Sequence, residues 1–416
     1  MELLLIHQNH PGQFRDLTPA LERRGHRVLG LGATPRSLTP GAPGPSDAPP
    51  ASGGPRLHYG WQPPVLPAGL ADPLLEASLR RAGRVQERCL QLREQGFRPD
   101  AVIGHSGWGE LLYLRDIWPE AVLIAYPELY ATPLLLGYGF DADLGEPSPA
   151  LRAQWRRGNL MGLAAVADAD ACVVPTRFAR DTFPPHLRGR FQVLHEGITL
   201  PAPSTGAVRL QLEGGPTLTK GDPVITFASR NLEPLRGFRT FLRALPAVLA
   251  ARPDARAVIV GGTDSGYGAP SSHPDGHKGE LLALLGHRLP VERIHFLPPL
   301  PHRELLALFR ISAAHVHLTY PYALSWSVLE AMACGALVVG SDNPPLNEVI
   351  QHGQNGLLVP FNEPDRLAEA LLAVLADPPA FAAMAEAGRA TVAARYEVNR
   401  AAEAFEALIL SLRLLP

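Results

Sequence analysis

The sequence predicts an α/β protein made of two consecutive doubly wound parallel sheets that face each other across a cleft. Three observations lead there. Short β-rich apolar runs alternate with segments of helical periodicity in both halves of the chain. Strands separated by helices require right-handed crossovers and a sheet covered on both faces. A turn-rich stretch, "PAPSTGAVRLQLEGGPTLTKGDP" (201–223), interrupts this rhythm before it starts again. Finally, 416 residues are too many for one ordinary core, so two domains are the default.

In order, "LLLIH" (3–7) reads as a buried strand, and Phe14, Leu17 and Leu21 fall at helical spacing before Gly25 ends that helix. The strand "HRVLGLG" follows, and then "TPRSLTPGAPGPSDAPPASGGP" (34–55), whose Pro, Gly, Ser and Ala predict a mobile loop. A helix near 73–95, strands at 100–106 and 121–128, a helix near 150–167 and strands at 171–176 and 191–198 complete the first domain, residues 1–200. Residues 201–223 are expected to be a linker. The second domain, 224–395, has strands at 224–229, 255–262, 293–298, 313–320, 336–341 and 356–360, with helices between them and an all-helical end. Residues 396–416 read as a C-terminal helix able to pack back on the first domain. Ligands bind such folds at the carboxyl ends of the strands, where loops present free N–H groups and helix N-termini, so a small-molecule site in the cleft is expected.

Lys+Arg of 38 against Asp+Glu of 40 gives no whole-chain field for nucleic acid, while leaving room for a local basic pocket. Cys89, Cys172 and Cys334 have no metal-type spacing and read as buried thiols of a reducing compartment. The start "MELLLIHQNHPG" lacks a basic segment and a cleavage site, and the apolar region at 316–341 is broken by Glu330 and glycines. A cytoplasmic protein is therefore expected.

"GLGATP" (30–35) begins like a dinucleotide fingerprint, but Pro35 replaces the third glycine and a loop follows instead of a helix, which argues against NAD. His315 and His317 share one strand face and can be read as a zinc pair without a third ligand nearby or as cleft-lining residues. In "ASRNLEPLRGF" (228–238), Arg230 and Arg236 flank a turn before a helix and read either as a diphosphate clamp or as two solvated arginines. "ALSWSVLEAMACG" reads as a helix with Ser325 near its N-cap and Gly335 as its stop; its first N–H groups, around Ser325, Trp326 and Ser327, would face an anion. Glu330, among apolar neighbours, reads as an acceptor for vicinal ribose hydroxyls or as a solvated carboxylate.

The ordered set of the basic turn at 230–237, "VIVGG", "LPHRELLALFRISAAHVHL", "SVLEAMACGALVVGSD" and "NEVIQHGQNGLLV" resembles glycosyltransferase family four, the large retaining group with the GT-B fold. The N-terminal "HQNHPGQFRDLTPALERRGHRV", with "HEGI" and "NLEPLRGF", resembles one subgroup of it. The resemblance implies a nucleoside diphosphate sugar as donor. Arg230 and Arg236 would stabilise the leaving diphosphate, with Arg236 where a lysine is usual, and Glu330 would hold the ribose. It places Ser325 and Trp326 in the turn whose N–H groups approach sugar and phosphate, Gly12 in the loop that closes over the donor, and His105 facing the donor sugar. Tyr322 stands where the family has the first of two glutamates, the one that contacts the transferred sugar, so donor choice is the point of departure.

No Asp-x-Asp metal motif lies near the cleft residues, and activity without a metal or other cofactor is expected. The resemblance further implies a saccharide or lipid-linked acceptor, in polysaccharide or glycolipid synthesis, and allows peripheral contact with the inner face of the membrane. A degenerate nucleotide-sugar-binding module and a GT-B epimerase remain as alternatives at this stage.

Overall fold

The computed structural model describes residues 1–33, 55–65, 72–203, 206–212, 214–264, 266, 268 and 271–414. The predicted loop at 34–55 lies, except for its last residue, outside the described residues.

The first sheet has seven parallel strands: β1 (Glu2–Ile6), β2 (Arg27–Gly32), β3 (Arg56–His58), β4 (Ala101–His105), β5 (Val122–Tyr126), β6 (Ala171–Val174) and β7 (Phe191–Val193), in the order β3-β2-β1-β4-β5-β6-β7. Leu3, Leu4, Leu5 and Ile6 are all fully buried. A continuous apolar run of this kind is what a parallel strand covered on both faces needs. One face packs Val85, Cys89 and Leu92 of the helix Pro73–Glu94. The other packs Phe14, Leu17 and Leu21 together with Val398, Ala402, Phe405 and Ile409. These last four belong to the terminal helix Val398–Arg413, so the end of the chain returns to cover the first sheet.

The predicted helix at 150–167 is two helices, Pro149–Gly158 and Leu160–Asp168, which meet at Asn159. Gly158 and Asn159 are weak helix formers. The Asn159 amide also takes up a neighbouring backbone, with Oδ1 accepting from Ala131 N at 2.7 Å and Nδ2 donating to Ala131 O at 2.9 Å.

The stretch read as a linker is more than a connection. It holds an antiparallel hairpin, β8 (Arg209–Gln211) and β9 (Thr217–Thr219). Leu212 and Leu218 enter the core of the second domain from it. The alternating leucines on either side of a Gly-Gly-Pro turn carry this hairpin, and the turn residues alone suggested a bare linker.

The second sheet comprises β10 (Val224–Asn231), β11 (Arg256–Gly262), β12 (Ile294–Leu297), β13 (Ala314–His317), β14 (Val338–Ser341) and β15 (Leu357–Val359), all parallel, in the order β12-β11-β10-β13-β14-β15. In both sheets the order reverses once, between β1 and β4 in the first and between β10 and β13 in the second. Loops leave such a switch point in opposite directions and open a crevice there.

The domains are fastened to each other in several places. Phe140 of the first domain packs against Tyr320 and Phe361 of the second. Asp141 accepts from Arg239 Nη2 at 2.6 Å and from the Tyr320 hydroxyl. Glu348 accepts from the backbone N–H groups of Arg177 at 2.9 Å and Phe178 at 2.7 Å, and so caps a helix of the other domain. Among the described residues no single helix is long and apolar enough to cross a membrane.

Candidate functional site

The residues nominated from sequence gather at the two switch points. On the second domain, Arg230 lies at the exposed end of β10, and Arg236 ends the short 3-10 turn Pro234–Arg236. Gly237 follows with φ 70°, and a Cβ there would lie 2.2 Å from Leu318 Cβ. Only glycine lets this turn approach β13 so closely and start the helix Phe238–Ala251. Arg236 Nη1 reaches Thr319 Oγ1 at 3.4 Å, and its guanidinium lies 5.6 Å from the ring centre of half-buried Tyr322. A cation and an aromatic face thus share the position after β13, where the family pattern has a carboxylate.

The helix Trp326–Ala333 starts at the same switch point, with the Ser325 hydroxyl capping it by accepting from Ser327 N at 3.3 Å. Glu330, its fifth residue, is buried, which excludes the solvated reading. A buried carboxylate needs donors. Its Oε1 receives two, Arg15 Nη2 at 2.9 Å and His302 Nε2 at 2.8 Å, whereas Oε2 accepts no hydrogen bond among the described residues. Burial works against the charge on Arg15, but Asp16 and Glu330 more than offset it and hold the guanidinium above its ordinary pKa. Trp326 reaches across to the first domain: its Nε1 donates to Glu196 Oε1 at 2.7 Å, and the Arg15 guanidinium sits 4.8 Å over its ring. The second Glu196 oxygen accepts from the Tyr126 hydroxyl, whose pKa is raised by burial and then by that carboxylate.

On the first domain, Gly12 begins a 3-10 turn with φ 46°, and a Cβ there would meet His7 Nδ1 at 2.2 Å. Arg15, directly after this turn, reaches Glu330 across the cleft between the domains. His105 ends β4, stacks on Trp108 at 3.9 Å between ring centres, and lies 5.4 Å from the His7 ring. Its Nδ1 accepts from Gly107 N at 3.2 Å. With Nδ1 accepting, the ring's donor is Nε2, which lies 3.6 Å from Glu128 Oε2.

His315 and His317 are buried on one strand. His315 Nδ1 is bonded to Thr226 Oγ1 at 2.9 Å, and burial pushes its pKa down to about 3. Among the described residues no group of three His, Cys, Asp or Glu side chains is placed to hold a metal ion. A cavity of about 610 Å³ lined by Arg177, His195, Glu348, Tyr396 and Arg400 contains none of the nominated residues.

Arg15, Glu196 and His302 were not nominated from sequence, although all three fall within the quoted segments. Arg15 and Glu330 are 315 positions apart, and no local spacing connects them.

Two family models match the chain, one described as glycosyl transferase family 4 group over residues 69–202, the other as glycosyl transferases group 1 over residues 215–391. Among curated proteins, the D-inositol 3-phosphate glycosyltransferase of Kribbella flavida is 28% identical over 320 residues, which is 74% of this chain and 70% of that protein. The protein of the same name from Corynebacterium jeikeium is 33% identical over 187 residues, 44% of this chain and 42% of its own. The chain thus spans about half the length of several curated relatives it matches. Sucrose-phosphate synthase from Thermosynechococcus elongatus superposes with a TM-score of 0.69 at 19% identity, covering 99% of each chain. Anabaena HepE, in complex with UDP and glucose, gives 0.66 at 15% identity, covering 99% of this chain and 100% of that one. At these identities the likeness is one of fold.

Proposed function

Because the chain belongs to the family 4 group of glycosyltransferases and has their two-domain GT-B fold, we propose that it is a retaining transferase. It moves a hexose-type sugar from a nucleoside diphosphate donor to a saccharide or lipid-linked acceptor. The observation that carries this reading is a single cluster at the second switch point. A buried carboxylate with one open oxygen, Glu330, follows β13, and two arginines, Arg230 and Arg236, follow the neighbouring β10.

The chemistry needs few groups. As the bond between the anomeric carbon and the diphosphate oxygen breaks, negative charge grows on the diphosphate. Arg230, Arg236 and the N–H groups that open the Trp326–Ala333 helix would meet that charge, with Arg230 at the end of β10, Arg236 just after it and the helix following β13. Glu330 Oε2 takes a ribose hydroxyl. The departing phosphate oxygen removes the proton of the attacking acceptor hydroxyl on the same face of the sugar, so no carboxylate base is required and Tyr322 is compatible with turnover. With two guanidiniums on the diphosphate, transfer proceeds without an added divalent ion.

The test is a thermal-shift screen against UDP-, GDP-, ADP- and TDP-sugars. UDP-glucose is the first donor to try, because the HepE complex holds UDP and glucose. One base series should shift the melting temperature well above the others. Equal shifts with all donors, or none, would contradict the reading.

A further inference from the structure

Glu128, two residues past β5, is the one non-glycine residue with a positive φ among the described residues, at 61°. An L side chain there crowds its own carbonyl, and such strain persists where the surrounding structure imposes it, often at ligand sites. The five carboxylates buried among the described residues are all engaged within the protein. Glu110 accepts from Tyr59, Asp141 from Arg239 and Tyr320, Glu196 from Tyr126 and Trp326, Glu233 from Gly268 N, and Glu330 from Arg15 and His302. Glu128 differs from them. Its side chain is about one-third exposed (33%), and it accepts no hydrogen bond among the described residues.

What it faces is a donor held in place. His105 Nε2 lies 3.6 Å from Glu128 Oε2, too far for a hydrogen bond between them. The imidazole is fixed by Gly107 N on its other nitrogen and by the stacked Trp108. A hydroxyl oxygen about 2.8 Å from each atom can bridge them from the side, accepting from the imidazole and donating to the carboxylate. A carboxylate acceptor beside an imidazole donor suits an alcohol, which can accept from one and donate to the other, and offers nothing specific to an apolar group. On the second domain, Tyr322 and Arg236 supply an aromatic face and a cation after β13 but no carboxylate.

Building on the transferase reading, we infer that Glu128 is the sugar-contacting carboxylate of this site: with His105 it grips one hydroxyl of the transferred sugar, and its left-handed backbone aims it there. Donor discrimination then lies mainly on the first domain.

The experiment compares E128A, E128Q and E128G with the unaltered protein, measuring the affinity for the matching nucleoside diphosphate and for its sugar conjugate. E128A weakens the sugar conjugate about 10- to 100-fold, the range of one charge-assisted hydrogen bond. The free diphosphate stays within about twofold, and E128Q, which keeps an acceptor oxygen, falls in between. E128G, equally without the carboxylate, melts about 2 °C above E128A because glycine accepts the left-handed backbone. Equal losses for diphosphate and conjugate, a loss confined to the acceptor KM, or unchanged conjugate affinity in E128A overturns this role while leaving the transferase reading intact. Absence of any nucleotide-sugar binding by the unaltered protein overturns both.

Discussion

Replacing Glu330 with alanine should weaken nucleoside diphosphate binding by an amount set by the geometry of one carboxylate. Oε1 already accepts from Arg15 and His302, at 2.9 and 2.8 Å, and only Oε2 is open. The ribose can therefore gain one charge-assisted hydrogen bond without displacing a protein donor, worth about 1.5–3 kcal/mol. This corresponds to about 10- to 150-fold in Kd. Oε2 has two lone pairs, so binding of both vicinal hydroxyls there would divide the loss between the two deoxy forms. The assay is calorimetric titration of the tightest-binding diphosphate among UDP, GDP and ADP, together with its 2′-deoxy and 3′-deoxy forms. The unaltered protein should lose most of that factor with one of the deoxy forms. E330A should lose it with the ribonucleotide and be nearly indifferent to the deoxy change. If E330A still distinguishes ribo from deoxy by the full factor, or binds the ribonucleotide normally, Glu330 is not the ribose contact.

Other consequences concern the supports of the site. Arg15→Ala removes an ion pair at 2.9 Å and the cation stacked on Trp326. The arginine side chain is about one-third exposed (32%) and His302 stays on the carboxylate, so the loss should be about 1–2 kcal/mol of stability in urea denaturation. R15K should recover only part of it, because an ammonium lacks the flat face; unchanged stability in R15A would deny the tie between domains. His315 and His317 predict an acid-side weakness, since burial lowers both pKa values in the fold, His315 to about 3 from an ordinary 6.5. The depressed pKa means full stability above pH 6.5, lost as pH falls toward the folded value, because the unfolded chain takes up protons that the fold refuses. Each histidine then contributes about 1.4 kcal/mol per pH unit below that point. Denaturation midpoints between pH 7.5 and 5 should show this slope, and H315Q should reduce it; a flat profile would contradict neutral burial.

How far the sequence carries depends on whether a feature is local. The doubly wound order of both sheets was legible because parallel strands buried on both faces must be short, continuous apolar runs such as "LLLI" and "VIVGG". Arg230 and Arg236 could be nominated because they lie at a strand end and before a helix, whereas Glu330, the fifth residue of its helix, was singled out by its apolar neighbours and by the family resemblance. The hairpin at 209–219 was not legible, since turn residues masked two short strands stabilised by packing on a distant core. The break at Asn159 was legible only in part, since Gly158 and Asn159 are weak helix formers but the Ala131 backbone that the amide takes up lies 28 residues earlier. Arg15, His302 and Glu196 acquire meaning only once folding brings together groups separated by tens to hundreds of residues. The left-handed backbone at Glu128 leaves no mark in composition or spacing at all.

The most direct test of the central claim is release of nucleoside diphosphate from the matching sugar donor, in the presence of an acceptor extract and EDTA, by the unaltered protein and by the Arg230→Ala/Arg236→Ala double variant. Turnover should persist in EDTA and fall at least about 100-fold in the double variant, because fixed charge on the leaving group is removed. No turnover with any donor, or equal turnover in the double variant, would contradict it.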